Sequence, residues 1–140
     1  MLFLEDDSRS LWPEVVRVLA ALMPLDMVLC AYAGEEFDAA VGPFQPLDGP
    51  ATMEGVTESD GEPLSQSRRV TVDESLLALL EAQLPDLEEW GDSLVVGRPG
   101  HREWVAASIP HEGMILVQPE YGSALAAAGY RPGDEAPDWW

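Results

Sequence analysis

The sequence predicts a single α+β domain, an antiparallel sheet of about 4–6 strands packed with about three helices. Two observations carry this. The chain of 140 residues has the length of one domain, and 46% hydrophobic content is enough for a full core. Segments with apolar residues at helical spacing alternate with short β-branched runs bounded by turn residues.

The elements follow in order. Ser8 or Ser10 is placed to cap a first helix over 10–23, and Pro13 is acceptable in its first turn. Leu11, Val15, Val18, Leu19 and Leu22 form one stripe, widened by Trp12 and Val16, and Pro24 ends the helix by withholding a donor. Asp26 to Ala33 reads as a buried strand. Gly34-Glu35-Glu36 is a turn, and Phe37 to Val41 reads as a returning hairpin partner.

From 42 to 67 the signals change to an acidic Pro/Gly-rich loop, with one short strand expected around Ala51 to Thr57. Loops of this length are uncommon unless functional or disordered. Arg68 to Val72 restores a strand end. A helix over 73–84 starts from a Thr71–Glu74 capping box or from Asp73, carries Leu76, Leu77, Leu79, Leu80 and Leu84, and stops before Pro85. Asp86 to Trp90 adds a helical turn closed by Gly91.

Ser93–Gly97, Glu103–Ile109 and Met114–Gln118 are three strands at short spacing, a meander. A short alanine-rich helix over 120–128 closes at Gly129, and 130–140 is an acidic tail ending in Trp139-Trp140. The helices are expected to cover the sheet mainly on one face. There is no internal repeat, and no Rossmann or P-loop glycine pattern.

Charge is the outlier. The chain has 26 Asp plus Glu against 7 Arg, no lysine and no asparagine, for a net −19. Lysine and asparagine have A-rich codons, so their absence points to a GC-rich bacterial genome. A surface this acidic repels nucleic acid, whose binding requires cations against phosphates. It suits a basic protein partner, whose encounter it steers.

Cys30 is the only cysteine, which excludes an intrachain disulfide and fits a reducing compartment. The start MLFLEDD lacks a basic n-region, and Arg17, Pro24 and Asp26 interrupt the most apolar segment, so neither a signal peptide nor a membrane span is expected. The expectation is a cytoplasmic protein.

Catalytic patterns are incomplete. Gly91-Asp92-Ser93-Leu94 spells the tetrapeptide of the GDSL serine hydrolases, but lies past mid-chain. That family's further blocks are missing: there is no asparagine for an oxyanion hole, and neither His101 nor His111 follows an aspartate by three residues. His101 and His111, with Glu103 and Glu112 nearby, lack convincing metal-ligand spacing, and no calcium loop occurs. Cys30 sits in an apolar strand without the positive charge that activates a thiol. No catalytic residue, metal site or cofactor is expected.

Two features remain as binding elements. One is the acidic segment, with Glu54, Glu58, Asp60 and Glu62; the other is the tail, with Asp134, Glu135, Asp138, Trp139 and Trp140. Tryptophan is enriched among binding hot spots, and flanking carboxylates match cations around a partner's pocket. The class these features resemble is the bacterial immunity proteins, which inhibit a cognate toxin by occluding a basic active-site cleft. A secretion chaperone holding an effector segment is the alternative, and a small-molecule enzyme or sensor domain the second. The monomer or dimer state is open.

Overall fold

A computed structural model describes residues 1–31, 47, 58–59, 62–63, 66–82, 91–136 and 138. Eight strands are described: β1 (Leu2–Glu5), β2 (Asp26–Ala31), β3 (Glu58–Ser59), β4 (Glu62–Pro63), β5 (Gln66–Thr71), β6 (Gly91–Gly97), β7 (Trp104–Ile109) and β8 (Met114–Val117). The described helices are α1 (Leu11–Ala20), α2 (Glu74–Ala82) and α3 (Gly122–Ala127). Six strands form one antiparallel sheet in the order β1-β8-β7-β6-β2-β5, and β3 pairs with β4 apart from it. The predicted α+β arrangement is therefore present.

The meander β6-β7-β8 is the sequence-local half of the sheet. The other half is built from distant segments: β2 pairs with β5 on one side and β6 on the other, and β1 pairs with β8. β1 was not among the predicted strands.

Strand alternation divides the sheet's side chains between two faces. Met27, Leu29, Leu94, Val96, Ile115 and Val117 pack with Trp12, Val15, Val16 and Leu19 of α1, Leu76, Leu77 and Leu80 of α2 and Leu125 of α3. Each such leucine, fully buried, contributes about 1.5–3 kcal/mol. The opposite face is not left to water, as one-sided coverage would imply: Val28, Val95, Ala107, Met114 and Leu116 form a second buried cluster.

Several boundaries differ from expectation for local reasons. α1 stops at Ala20 rather than 23: the Leu22 N–H turns to the carbonyl only three residues back, Leu19 O at 3.0 Å, so the last turn tightens and the helix ends there. Leu22 thereby leaves the stripe and stands 56% exposed. Neither Ser8 nor Ser10 caps α1; Ser10 occupies the cap position without a side-chain bond to the helix. The Asp6 carboxylate does so instead, accepting from Leu11 N–H at 3.0 Å and Trp12 N–H at 3.1 Å. At α2, Asp73 is the cap, its Oδ1 accepting from Leu76 N–H at 2.8 Å.

A 3-10 turn, Pro119–Tyr121, precedes α3. Gly129, at φ +96°, closes α3 while Tyr130 N–H returns to Leu125 O at 2.9 Å. The predicted loop 42–67 contains the β3–β4 pair and gives way to β5 at Gln66. The expected hairpin partner 37–41, the strand around 51–57, the turn at 86–90 and Leu84 lie outside the described residues.

Candidate partner-binding surface

β1 forms one edge of the sheet. An edge strand presents unpaired N–H and C=O groups that invite further pairing. Here the C-terminal tail takes that place: Phe3 N–H donates to Gly133 O at 2.8 Å, and Gly133 N–H donates to Phe3 O at 2.9 Å. Beyond this bridge Asp134, Glu135 and Asp138 are exposed, and the first two, next to the bridge, bring carboxylates to the β1 edge. Glu5, the last residue of β1, is exposed as well.

Between strand and tail lies a groove of about 370 Å³. The described residues lining it are Phe3, Leu4, Glu5, Met114, Arg131, Gly133 and Glu135. Apolar side chains and charged ones thus meet at one place. Of the predicted binding residues, Glu135 lines this groove and Asp134 is next to the bridge, while Asp138 is exposed farther along the tail. Glu58 and Glu62 lie on the separate β3–β4 pair, opposite Pro63 and Ser59. Glu54, Asp60, Trp139 and Trp140 fall outside the described residues.

The few cations are largely engaged by the chain itself. Arg69 is 2% exposed; its Nε donates to Asp26 Oδ2 at 2.9 Å, and its other nitrogens donate to the carbonyls of His101 and Arg98 at 3.0 and 2.9 Å. Arg17 joins α1 to α2 through Glu74 and Glu81. Arg9 donates to the carbonyls of Asp7 and Pro110, and Arg98 to the Tyr121 hydroxyl at 3.3 Å. At least four of the seven arginines are therefore bonded to groups of the chain.

The turn holding Arg98 also carries His101 and Glu103, which with Glu120 and Tyr121 enclose a small polar cavity of about 40 Å³. Burial pushes the Tyr121 hydroxyl above its ordinary value of 10.0; Glu120 adds to this and Arg98 opposes it. Among the described residues no group of three or more His, Cys, Asp or Glu is arranged to hold a metal ion.

Ser93, the serine of the GDSL tetrapeptide, is 1% exposed on β6, and its Oγ has no hydrogen-bond partner. Among the described residues no base is positioned on it. His101 lies in the turn after the far end of β6, and His111 is exposed in the turn between β7 and β8, its Nε2 3.7 Å from Glu112 Oε1. Cys30 is buried opposite Ser93.

No family model, curated protein or solved structure matches the chain. Its surface therefore has to be interpreted from its own chemistry. Sequence reasoning singled out the tail's acids but missed Phe3, Glu5 and Arg131. The only sequence signal for the first two was the brief LFLE run at the start, and nothing local in the sequence ties that run to Gly133, 130 positions on.

Proposed function

We propose that this is an acidic protein-binding protein, a bacterial immunity protein that inhibits a cognate toxin by occluding its basic active-site cleft. The observation that carries the reading is the disposition of charge. A net −19 is carried by a chain whose arginines are mostly bonded internally, while Glu5, Asp7, Asp134 and Glu135 stand exposed near one sheet edge. Such a surface costs stability through self-repulsion. A basic cleft offsets that cost and is reached quickly because unlike charges steer the encounter. The carboxylates take the positions of phosphate charges in the cleft, and apolar side chains beside them supply the buried area that slows release.

The test begins with affinity capture by the full chain in lysate of the source bacterium. Expression of the captured protein alone should then arrest growth of a surrogate bacterium, and co-expression of this chain should relieve the arrest. Binding should be one-to-one, with association slowing as ionic strength rises from about 0.1 M to about 1 M, where the Debye length falls from about 10 to about 3 Å. A captured protein without toxicity, or an on-rate indifferent to salt, would sink the reading. A stable homodimer carrying an extended effector segment would instead establish the chaperone alternative.

A further inference from the structure

The groove between β1 and the tail has a feature beyond its acidity. In an antiparallel strand, alternate residues direct their N–H and C=O groups to opposite sides. Phe3 directs its pair outward to Gly133, and Asp6 N–H turns inward to Gly113 O at 2.7 Å. Glu5, two residues after Phe3, therefore directs its N–H and C=O outward too. Continuing the tail pairing from Phe3 and Gly133 would set Arg131 opposite Glu5, but the bridge is isolated. The groove opens there instead, beside a stretch of strand edge that no described residue pairs.

Its lining then has three parts. Phe3 and Met114, packed on the sheet face away from the helices, are apolar; Glu5 and Glu135 supply two carboxylates; Arg131 supplies one cation. One negative charge is left over at this place. A cationic side chain with an aliphatic stem fits all three parts, the stem along the apolar lining and the head at the carboxylates. Arginine fits better than lysine. Its planar fork has five donors, enough to engage a carboxylate and the outward Glu5 carbonyl together, whereas an ammonium is a compact point charge.

We propose that this groove is the seat of an arginine side chain of the basic partner. The assignment rests on the reading of the protein as an inhibitor of a basic protein, and names where on its surface the partner is gripped. The exposed tail acids around the groove act as the rim.

The experiment uses the full chain and small probes, so it needs no toxin. Amide NMR spectra are recorded during titration with N-acetyl-arginine amide and, separately, N-acetyl-lysine amide. The arginine probe should shift Phe3, Glu5, Met114 and Gly133 first and bind several-fold more tightly than the lysine probe. Joint substitution Glu5→Gln and Glu135→Gln should weaken arginine binding several-fold. Arg131→Gln should strengthen it, because the resident cation no longer competes for the carboxylates. Glu5, Glu135 and Arg131 are exposed, so the fold should survive, and unchanged amide positions far from the groove check this. Shifts spread evenly over acids such as Glu103 and Glu120, equal binding of the two probes, or indifference to the carboxylate substitutions would each overturn the proposal. A groove that binds arginine in a protein that captures no toxin would refute the function and leave the site standing. The reverse outcome would refute the site alone.

Discussion

Arg69 and Asp26 meet inside the protein, Nε to Oδ2 at 2.9 Å, with side-chain exposures of 1% and 8%. They are not opposite each other in the ladder: Val28 faces Arg69 and Thr71 faces Asp26, so the pair crosses diagonally from β5 to β2. The same guanidinium holds the Arg98 and His101 carbonyls of the β6–β7 turn. One side chain thus joins two strands and a turn.

Removing either charge leaves the other buried without compensation, at a cost of about 3–5 kcal/mol. Arg69→Met also orphans two carbonyls, so it should be the worse of the two when compared with Asp26→Asn by urea denaturation. The combined Asp26→Leu/Arg69→Met chain should lose less than the sum of its single substitutions, because no lone charge remains. Strictly additive losses would mean the pair is not coupled.

Asp6 gives a pH dependence. Burial raises its carboxyl above the ordinary 3.8, and Asp7 adds slightly, against the opposing Leu11 and Trp12 N–H groups and Arg9. Above about pH 3.8 the folded chain therefore keeps a proton that the unfolded chain has lost. The contribution of this group is fully present below that value and is lost as pH rises through the folded one. Asp6→Asn keeps an oxygen acceptor but cannot titrate, so the stability advantage of wild type over it should shrink as pH rises from 3.8. Paired urea midpoints across that range check the sign, and an advantage that grew with pH would contradict it. Asp6→Ala also removes both cap bonds, at about 0.5–2 kcal/mol, and its cost should shrink with rising pH in the same way.

These two carboxylates show where reading the sequence stops. The helices and the meander were legible because their signals are local: leucines at helical spacing, and β-branched runs separated by turns. Sheet order was not. Nothing in Asp26 announces a partner at Arg69, because the contact exists only once the β2–β5 register is set. The α1 cap was misplaced for a similar reason. Serines stood next to the helix in sequence, but the chain bends at Arg9, φ +60°, and brings Asp6 to the helix end. At the candidate site the tail acids were legible as charge, while the strand edge they flank required the Phe3–Gly133 bridge.

Gly113 and Gly129 separate backbone strain from crowding. Both are left-handed, at φ +61° and +96°. A Cβ on Gly129 meets nothing within 4 Å, whereas one on Gly113 falls 2.8 Å from Asp7 Oδ1 and 3.3 Å from Asp7 Cα. Gly129→Ala should cost about 1 kcal/mol for the backbone alone. Gly113→Ala should cost clearly more, since the Asp7 carboxylate can turn away but its Cα must move with the β1–α1 connection. Thermal or urea unfolding of the two variants side by side tests the ranking.

The tail can be divided at its bridge. Truncation after Pro132 removes the two Phe3–Gly133 bonds, at about 0.5–1.5 kcal/mol each. It should speed hydrogen exchange at the Phe3 amide and lay the β1 edge open to self-association, visible in sedimentation. Removing Trp139 and Trp140 alone leaves Gly133 in place. If the tryptophans anchor a partner, this shorter deletion should leave Phe3 protection and melting temperature unchanged while speeding dissociation from the captured toxin. A large fall in melting temperature with undiminished affinity would make them a cover for the protein's own core. The two deletions thus distinguish what holds the tail to the sheet from what the tail holds.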